Sequence, residues 1–148
     1  MSAHADRPGE ILAGTSLGLY RWLDAEERWH AVPSPMDRPD CSIWSIGRDP
    51  DDPARLLAGT RPCAFYGSED EGRTWRTLHV PEIGSGENAT RASRGYGDSK
   101  YMRVTTIQLD PADRDTVWAG IEIDAIHVSR DRGETWERLS QGLISDDI

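Results

Sequence analysis

Ser68-Glu69-Asp70-Glu71-Gly72-Arg73-Thr74-Trp75 returns 61 residues later as Ser129-Arg130-Asp131-Arg132-Gly133-Glu134-Thr135-Trp136. Both copies read Ser-x-Asp-x-Gly-x-Thr-Trp, and the chemistry of that string is a tight β-hairpin. Ser and Asp side chains accept hydrogen bonds from turn amides, and Gly takes a left-handed backbone conformation without steric cost. Thr and Trp then open the return strand, because β-branched and aromatic side chains fit a pleated surface. The spacing predicts positive φ at Gly72 and Gly133, with Asp70 and Asp131 accepting backbone hydrogen bonds inside their own turns. On this reading Ser68, Asp70, Gly72, Thr74 and Trp75 are scaffold, as are Ser129, Asp131, Gly133, Thr135 and Trp136. The window degrades in Trp22-Leu23-Asp24-Ala25-Glu26-Glu27-Arg28-Trp29, which keeps only the Asp and the final Trp.

Working outward, each copy sits near the end of a unit with four strand-like segments. In one unit these are 42–46, 56–60, 64–66 and 75–80; in the next they are 104–109, 117–120, 126–128 and 136–139. Asp49-Pro50 matches Asp110-Pro111, and Leu56-Leu57-Ala58-Gly59 matches Val117-Trp118-Ala119-Gly120. A first unit shows three strands, 11–15, 19–21 and 29–32, and no inner strand before Ile11. No segment carries helical periodicity over eleven or more residues. Four short antiparallel strands per repeat, with a turn at a fixed offset, predict an all-β fold of β-propeller blades, about three in this chain. A three-repeat β-sandwich or prism is the other arrangement that the pattern allows. The single segment 1–148 then divides into a first blade at 11–32, a second at 42–80, a long inserted loop at 81–100, a third blade at 101–139 and a linker at 140–148.

The repeated string resembles the Asp-box, or BNR, repeat of β-propellers, found in sialidases, xyloglucan-cleaving glycosidases, sortilin-type receptors and a photosystem II assembly factor. The resemblance implies a propeller in which the boxes are structural turns, and it does not select one activity. Sialidases add an Arg-Ile-Pro motif to an arginine triad, a Tyr-Glu pair and an acid-base Asp. This sequence has no Arg-Ile-Pro, so no catalytic residue is carried over. The two catalytic Asp residues of the xyloglucan-cleaving families have no motif match either.

The formal net charge is −9 at pH 7. That argues against nucleic acid, whose phosphates need Lys and Arg, and against an anionic membrane surface. No run of 18 apolar residues suggests a membrane span, and Met1 to Glu10 lacks the apolar centre of a signal peptide, so a cytoplasmic location is expected. Cys41 and Cys63 lack metal-ligand spacing and read as free thiols. His30, His79 and His127 read as structural, and neither a metal nor a cofactor is expected. No Gly-rich phosphate loop opens a helix, and no Gly-x-Ser-x-Gly elbow is present.

In a blade whose strands run A to D outward from the axis, antiparallel order gathers the D-to-A and B-to-C loops on one face. The boxes, as C-to-D turns, lie on the other. The first face receives Asp37, Arg38 and Asp40 from one connection. The long loop Pro81 to Lys100 brings Arg91, Arg94, Tyr96, Asp98 and Lys100, with Tyr101 and Arg103 at the strand entry. Loops of that length inside compact domains are usually functional or disordered. The B-to-C loops add Arg61, Cys63, Glu122 and Asp124. Arginine forks, tyrosines and carboxylates suit a carbohydrate or other small polar ligand. Two readings of function follow: a hydrolase of glycosidase type, or a non-catalytic binding or assembly module, the latter including an inactive fragment of a larger propeller. Because propellers have roughly four to eight blades, three blades also predict self-association or a second chain that completes the ring, with 143–148 approaching the partner's first blade.

Overall fold

The computed structural model describes residues 1–3, 9–81, 102–139 and 141. They form three four-stranded antiparallel sheets, each a simple meander in which every strand pairs with its neighbours in sequence. The first sheet is β1 (Ser2–Ala3), β2 (Glu10–Thr15), β3 (Gly18–Leu23) and β4 (Arg28–Val32). The second is β5 (Ser42–Arg48), β6 (Leu56–Arg61), β7 (Phe65–Ser68) and β8 (Arg76–Thr77). The third is β9 (Val104–Leu109), β10 (Val117–Ile121), β11 (Ala125–Ser129) and β12 (Glu137–Leu139).

One expectation is corrected: the first sheet does have an inner strand. Ser2 pairs with Leu12 and Ala3 with Ile11. The strand is two residues long, too short to carry an apolar alternation that a sequence reading can detect. The degenerate third copy of the turn also differs from its relatives. It forms a short 3-10 turn, Asp24–Glu26, closed by Glu27 at φ 50°. The Asp24 carboxylate accepts from the Trp22 indole at 2.6 Å, and the Asp24 carbonyl accepts from the Glu27 amide at 3.2 Å.

The hydrophobic core lies between sheets. Leu12 and Leu19 of the first sheet pack with Ile43, Leu56, Ala58 and Tyr66 of the second, with Met36 and Cys41 from the connection and Trp75 at the margin. Leu57, Phe65 and Leu78 of the second sheet pack with Val104, Ile107, Leu109, Val117 and Ala119 of the third, with Trp136 at the margin. The indole of Trp136 stacks on Phe65 at 4.3 Å between centroids. Trp75 and Trp136 are thus inter-sheet residues, as their repeat position predicts. Trp29, at the same position of the first sheet, is 45% exposed and tilts against Trp22 instead.

The two intact turns are built alike. Ser68 Oγ accepts from the Gly72 amide at 2.9 Å, and Asp70 Oδ1 accepts from the amides of Arg73 and Thr74 at 3.0 and 2.8 Å. The Thr74 hydroxyl donates to Asp70 Oδ2 at 2.6 Å. In the second copy Gly133 donates to Ser129 Oγ at 2.7 Å and Thr135 to Asp131 Oδ1 at 2.8 Å. Desolvation pushes the Asp70 carboxyl up, but the hydrogen bonds from Thr74, Ser68 and Arg73 outweigh it and hold it at about 2. Gly72 and Gly133 have φ of 79° and 97°. The residue before each is left-handed too, Glu71 at 64° and Arg132 at 67°. Two consecutive left-handed residues turn the chain tightly enough for the amide of the first to reach the neighbouring A-to-B turn. Glu71 N donates to Ala54 O and Arg132 N to Asp115 O, each at 2.8 Å.

The conformation sets the cost of filling Gly72. A Cβ there would lie 3.1 Å from the Cδ1 atoms of Leu12 and Leu56, in a backbone region that L-residues avoid. Gly72→Ala is expected to destabilise the fold by roughly 1 kcal/mol or more. Urea denaturation measures it, and an unchanged midpoint would contradict the turn geometry.

Candidate functional site

Strand order places four described side chains at one corner of the loop-rich face. Arg61 ends β6 opposite Ser42, at the start of β5. Trp44 lies two residues further on, at a break in the β5–β6 register between Ile43 and Ser45. A bulge leaves one residue unpaired and turns its side chain out of the regular alternation. Trp44 accordingly is 47% exposed, although it belongs to an inner strand. From the third sheet, Arg103 precedes β9 and Glu122 follows β10.

Arg103 joins these elements. Its guanidinium lies over the Trp44 ring at 4.2 Å from the centroid and ion-pairs through Nε with Glu122. The Glu122 amide donates to the Arg103 carbonyl at 3.0 Å. A cation over an indole face is attracted by the ring quadrupole, so Trp44, Arg103 and Glu122 make a cross-sheet unit with a fixed orientation. Of the predicted site residues, Arg103 and Glu122 come together here, and Arg61 is exposed on the adjoining strand end. Arg91, Arg94, Tyr96, Asp98, Lys100 and Tyr101 lie outside the described residues.

Asp124 does not belong to this surface. Its carboxylate is wholly buried, pairs with Arg138 Nη2, and meets His127 Nε2 at 2.8 Å. The sequence position, just beyond the end of a B strand, suggested an open loop. The chain instead turns tightly at Ile123, at φ 66°, and swings Asp124 under the sheet. His127 is buried with it. Cys63 and Cys41 are buried free thiols, and burial, assisted by the charge of Asp124, pushes the Cys63 thiol up to about 12. At neutral pH Cys63 is therefore a thiol and a poor nucleophile.

Sequence reasoning missed Trp44 as a surface residue. Nothing local in the sequence marks the bulge. The sequence shows only that Trp44-Ser45-Ile46-Gly47 aligns with Thr105-Thr106-Ile107-Gln108; that Thr105 is likewise passed over between Val104 and Thr106 is a fact of the β9–β10 pairing.

Among the described residues there is no group of three or more His, Cys, Asp or Glu that could hold a metal ion. No described helix is long and apolar enough to cross a membrane. What the corner offers chemically is a partly exposed indole with a guanidinium over one face of its ring and a carboxylate paired to that guanidinium. That set can stack on the apolar face of a polar ring and hydrogen-bond its substituents.

No family model matches the chain. It is 26% identical over 149 aligned positions to an oligoxyloglucan-reducing end-specific xyloglucanase of Emericella nidulans, an alignment that takes in 93% of this chain and 17% of that protein. Among solved structures, a GH74 xyloglucanase from Xanthomonas campestris superposes with TM-score 0.62 at 22% identity, over 91% of this chain and 19% of the other. An ancestral GH74 enzyme gives TM-score 0.71 at 18% identity over 95% of this chain. The fold is that of a β-propeller. YCF48 bound to D1 peptide shares it as well, with TM-score 0.62 at 14% identity over 89% of this chain and 38% of its own. The chain spans less than a fifth of the curated relative and of the two GH74 structures. Its three sheets thus correspond to a part of each of these proteins.

Proposed function

We propose that this chain is a glycoside-hydrolase-like propeller segment whose Ser-x-Asp-x-Gly-x-Thr-Trp turns are Asp boxes, and that its loop-rich face holds a carbohydrate. The observation that carries the reading is Trp44. It is a large aromatic side chain, 47% exposed at a break in strand register, with the Arg103 guanidinium over its ring. Sugars present an apolar face to such a ring and hydroxyls to neighbouring charged groups. The similarity to a xyloglucanase supports a β-glucan-type chain as the first ligand to try.

Binding is better supported than hydrolysis. Glycosidic cleavage needs two carboxyl groups across the scissile bond, one protonated. In this corner the Glu122 carboxylate is held by Arg103, and the Asp124 carboxylate is buried against Arg138 and His127. The likeness to YCF48, whose structure holds a peptide, favours a second reading as a non-catalytic assembly module.

Calorimetric titration with xyloglucan oligosaccharides, alongside a reducing-end assay on the same samples, tests the proposal. Saturable binding is expected, weakened at least tenfold in Trp44→Ala while the far-ultraviolet circular dichroism stays unchanged. Binding that Trp44→Ala leaves intact would move the site elsewhere, and no binding to any sugar would leave the assembly reading.

A further inference from the structure

The two inter-sheet contacts inside this chain are copies of one interface, and strand register makes the correspondence residue by residue. Gly14 pairs with Leu19, Gly59 with Phe65 and Gly120 with Ile126. These pairs mark the forward face of each sheet, the one turned toward the next sheet in sequence. On the opposite, backward face Ala13 pairs with Tyr20, Ala58 with Tyr66 and Ala119 with His127. Forward residues Leu12 and Leu19 of the first sheet cover backward residues Leu56, Ala58 and Tyr66 of the second. Forward residues Leu57 and Phe65 of the second cover backward residues Val117 and Ala119 of the third.

The glycine on each forward face is the notch that receives the next sheet's inner strand. A Cβ on Gly14 would collide with Ile43, and one on Gly59 with Val104, both residues of the following sheet. A Cβ on Gly120 would meet first Thr106, Thr105 and Ile126, all of its own sheet. The third sheet thus presents a forward face of the same construction, with Ile126 38% exposed where Leu19 and Phe65 are buried. At the other end, the backward face of the first sheet carries an apolar depression of about 320 Å³ lined by Ala13, Thr15, Tyr20 and Trp29. Ala13, Tyr20 and Trp29 stand where Ala58, Tyr66 and Trp75 stand in the second sheet, and those three belong to the first inter-sheet core.

We propose that a second copy of this chain docks its forward face, around Gly120, Ile126 and Leu139, onto the backward face of Ala13, Tyr20 and Trp29, repeating the contact that already joins the sheets within each chain. The two faces differ, so the contact is heterologous, and such contacts form rings when their rotation closes. Two copies of the three described sheets supply six, inside the range of about four to eight that propellers use. Two-fold symmetry then gives two identical contacts and covers both open faces at once. Apolar faces of this kind mark association sites when left in water. The inference rests on the propeller fold and is independent of any sugar bound at Trp44.

The test is light scattering on the purified 148-residue chain at micromolar concentration. The expected mass is twice the 16.5 kDa of one chain. Trp29→Glu and Ile126→Glu, each checked for fold by circular dichroism, should each halve that mass, because either change spoils one side of both contacts. Mixing the two variants should restore a pair, since the intact forward face of one meets the intact backward face of the other. A wild-type monomer overturns the proposal. So does a dimer that Ile126→Glu leaves whole, which would pair first sheets symmetrically, and so does a series of ever larger species, which would mean that the contact does not close.

Discussion

Arg55→Met is expected to cost about 3 kcal/mol or more of unfolding free energy, because it strands a buried carboxylate. Arg55 is 1% exposed and reaches Asp49 Oδ2 through Nη1 at 3.1 Å; Asp49 is nearly as buried. The same Nη1 donates to the Arg114 carbonyl of the next sheet at 2.5 Å. Asp49 in turn accepts from the amides of Asp51 and Asp52 at 2.9 and 3.1 Å and so shapes the A-to-B turn. Arg114 Nε lies 3.9 Å from Asp49 Oδ2 and is half exposed, so it offsets only a small part of the lost pair. Removing both partners should be milder: Asp49→Asn combined with Arg55→Met should recover a sizeable part of the loss, and the double-mutant cycle reports the coupling. The pH dependence follows in sign. Burial alone would raise the Asp49 carboxyl, but the Asp51 amide, the Arg55 guanidinium and the Asp52 amide outweigh it and hold it below the usual carboxylate range. A depressed folded-state value contributes stability that is present above about pH 4 and disappears as pH falls through that lower value. Denaturation of the wild type should therefore steepen on the acid side of pH 4, and Arg55→Met should flatten that limb. A loss below about 1 kcal/mol would contradict this account.

Trp136→Ala is the second large effect, expected at about 3 kcal/mol, toward the lower end of the range for deleting a core aromatic. The indole covers Phe65, which is fully buried, and borders the core shared by the second and third sheets. The ring itself is half-buried, and its Nε1 finds no hydrogen-bond partner in a buried setting. The loss is therefore packing rather than polar contact, and Trp136→Phe should keep most of the stability. Trp29→Ala, at the same repeat position but on an open face, should cost the folded monomer much less. Guanidinium unfolding of the three variants, followed by circular dichroism, separates them. Equal losses for Trp136→Ala and Trp29→Ala would mean that the repeat position, and not the neighbouring sheet, sets the energy.

Legibility in the sequence followed the physics of each feature. The hairpin turns were readable because several groups with special chemistry must coincide there: an acceptor at Ser68, an acceptor at Asp70 and a left-handed backbone at Gly72. The left-handed conformation of Glu71 was not readable, since its residue type does not demand it. Strands with apolar alternation, such as Ile43 to Ile46, announced themselves; Ser2–Ala3, only two residues long, could not. The Asp49–Arg55 pair was hidden because a charged residue beside a proline-rich turn looks the same whether it points into water or under a sheet. In the candidate site, Arg103 and Glu122 were recoverable from loop position, whereas the exposure of Trp44 and the burial of Asp124 depend on a bulge and on a left-handed Ile123 that side-chain identity does not encode.

Placing the core between sheets rather than within them also decides how such a chain comes apart. A single sheet owns no interior, so none of the three is a folding unit by itself, and the strength of the whole is a chain of nearest-neighbour couplings. The middle sheet takes part in both couplings, with β6 buried from Leu56 to Thr60, and each outer sheet takes part in one. Fraying should start at the outer sheets and travel inward, and any partner that seats itself on an outer sheet removes a loose end rather than adding a new structure. Through that cooperativity, a contact made at Trp29 would be felt as slower opening at strands it never touches.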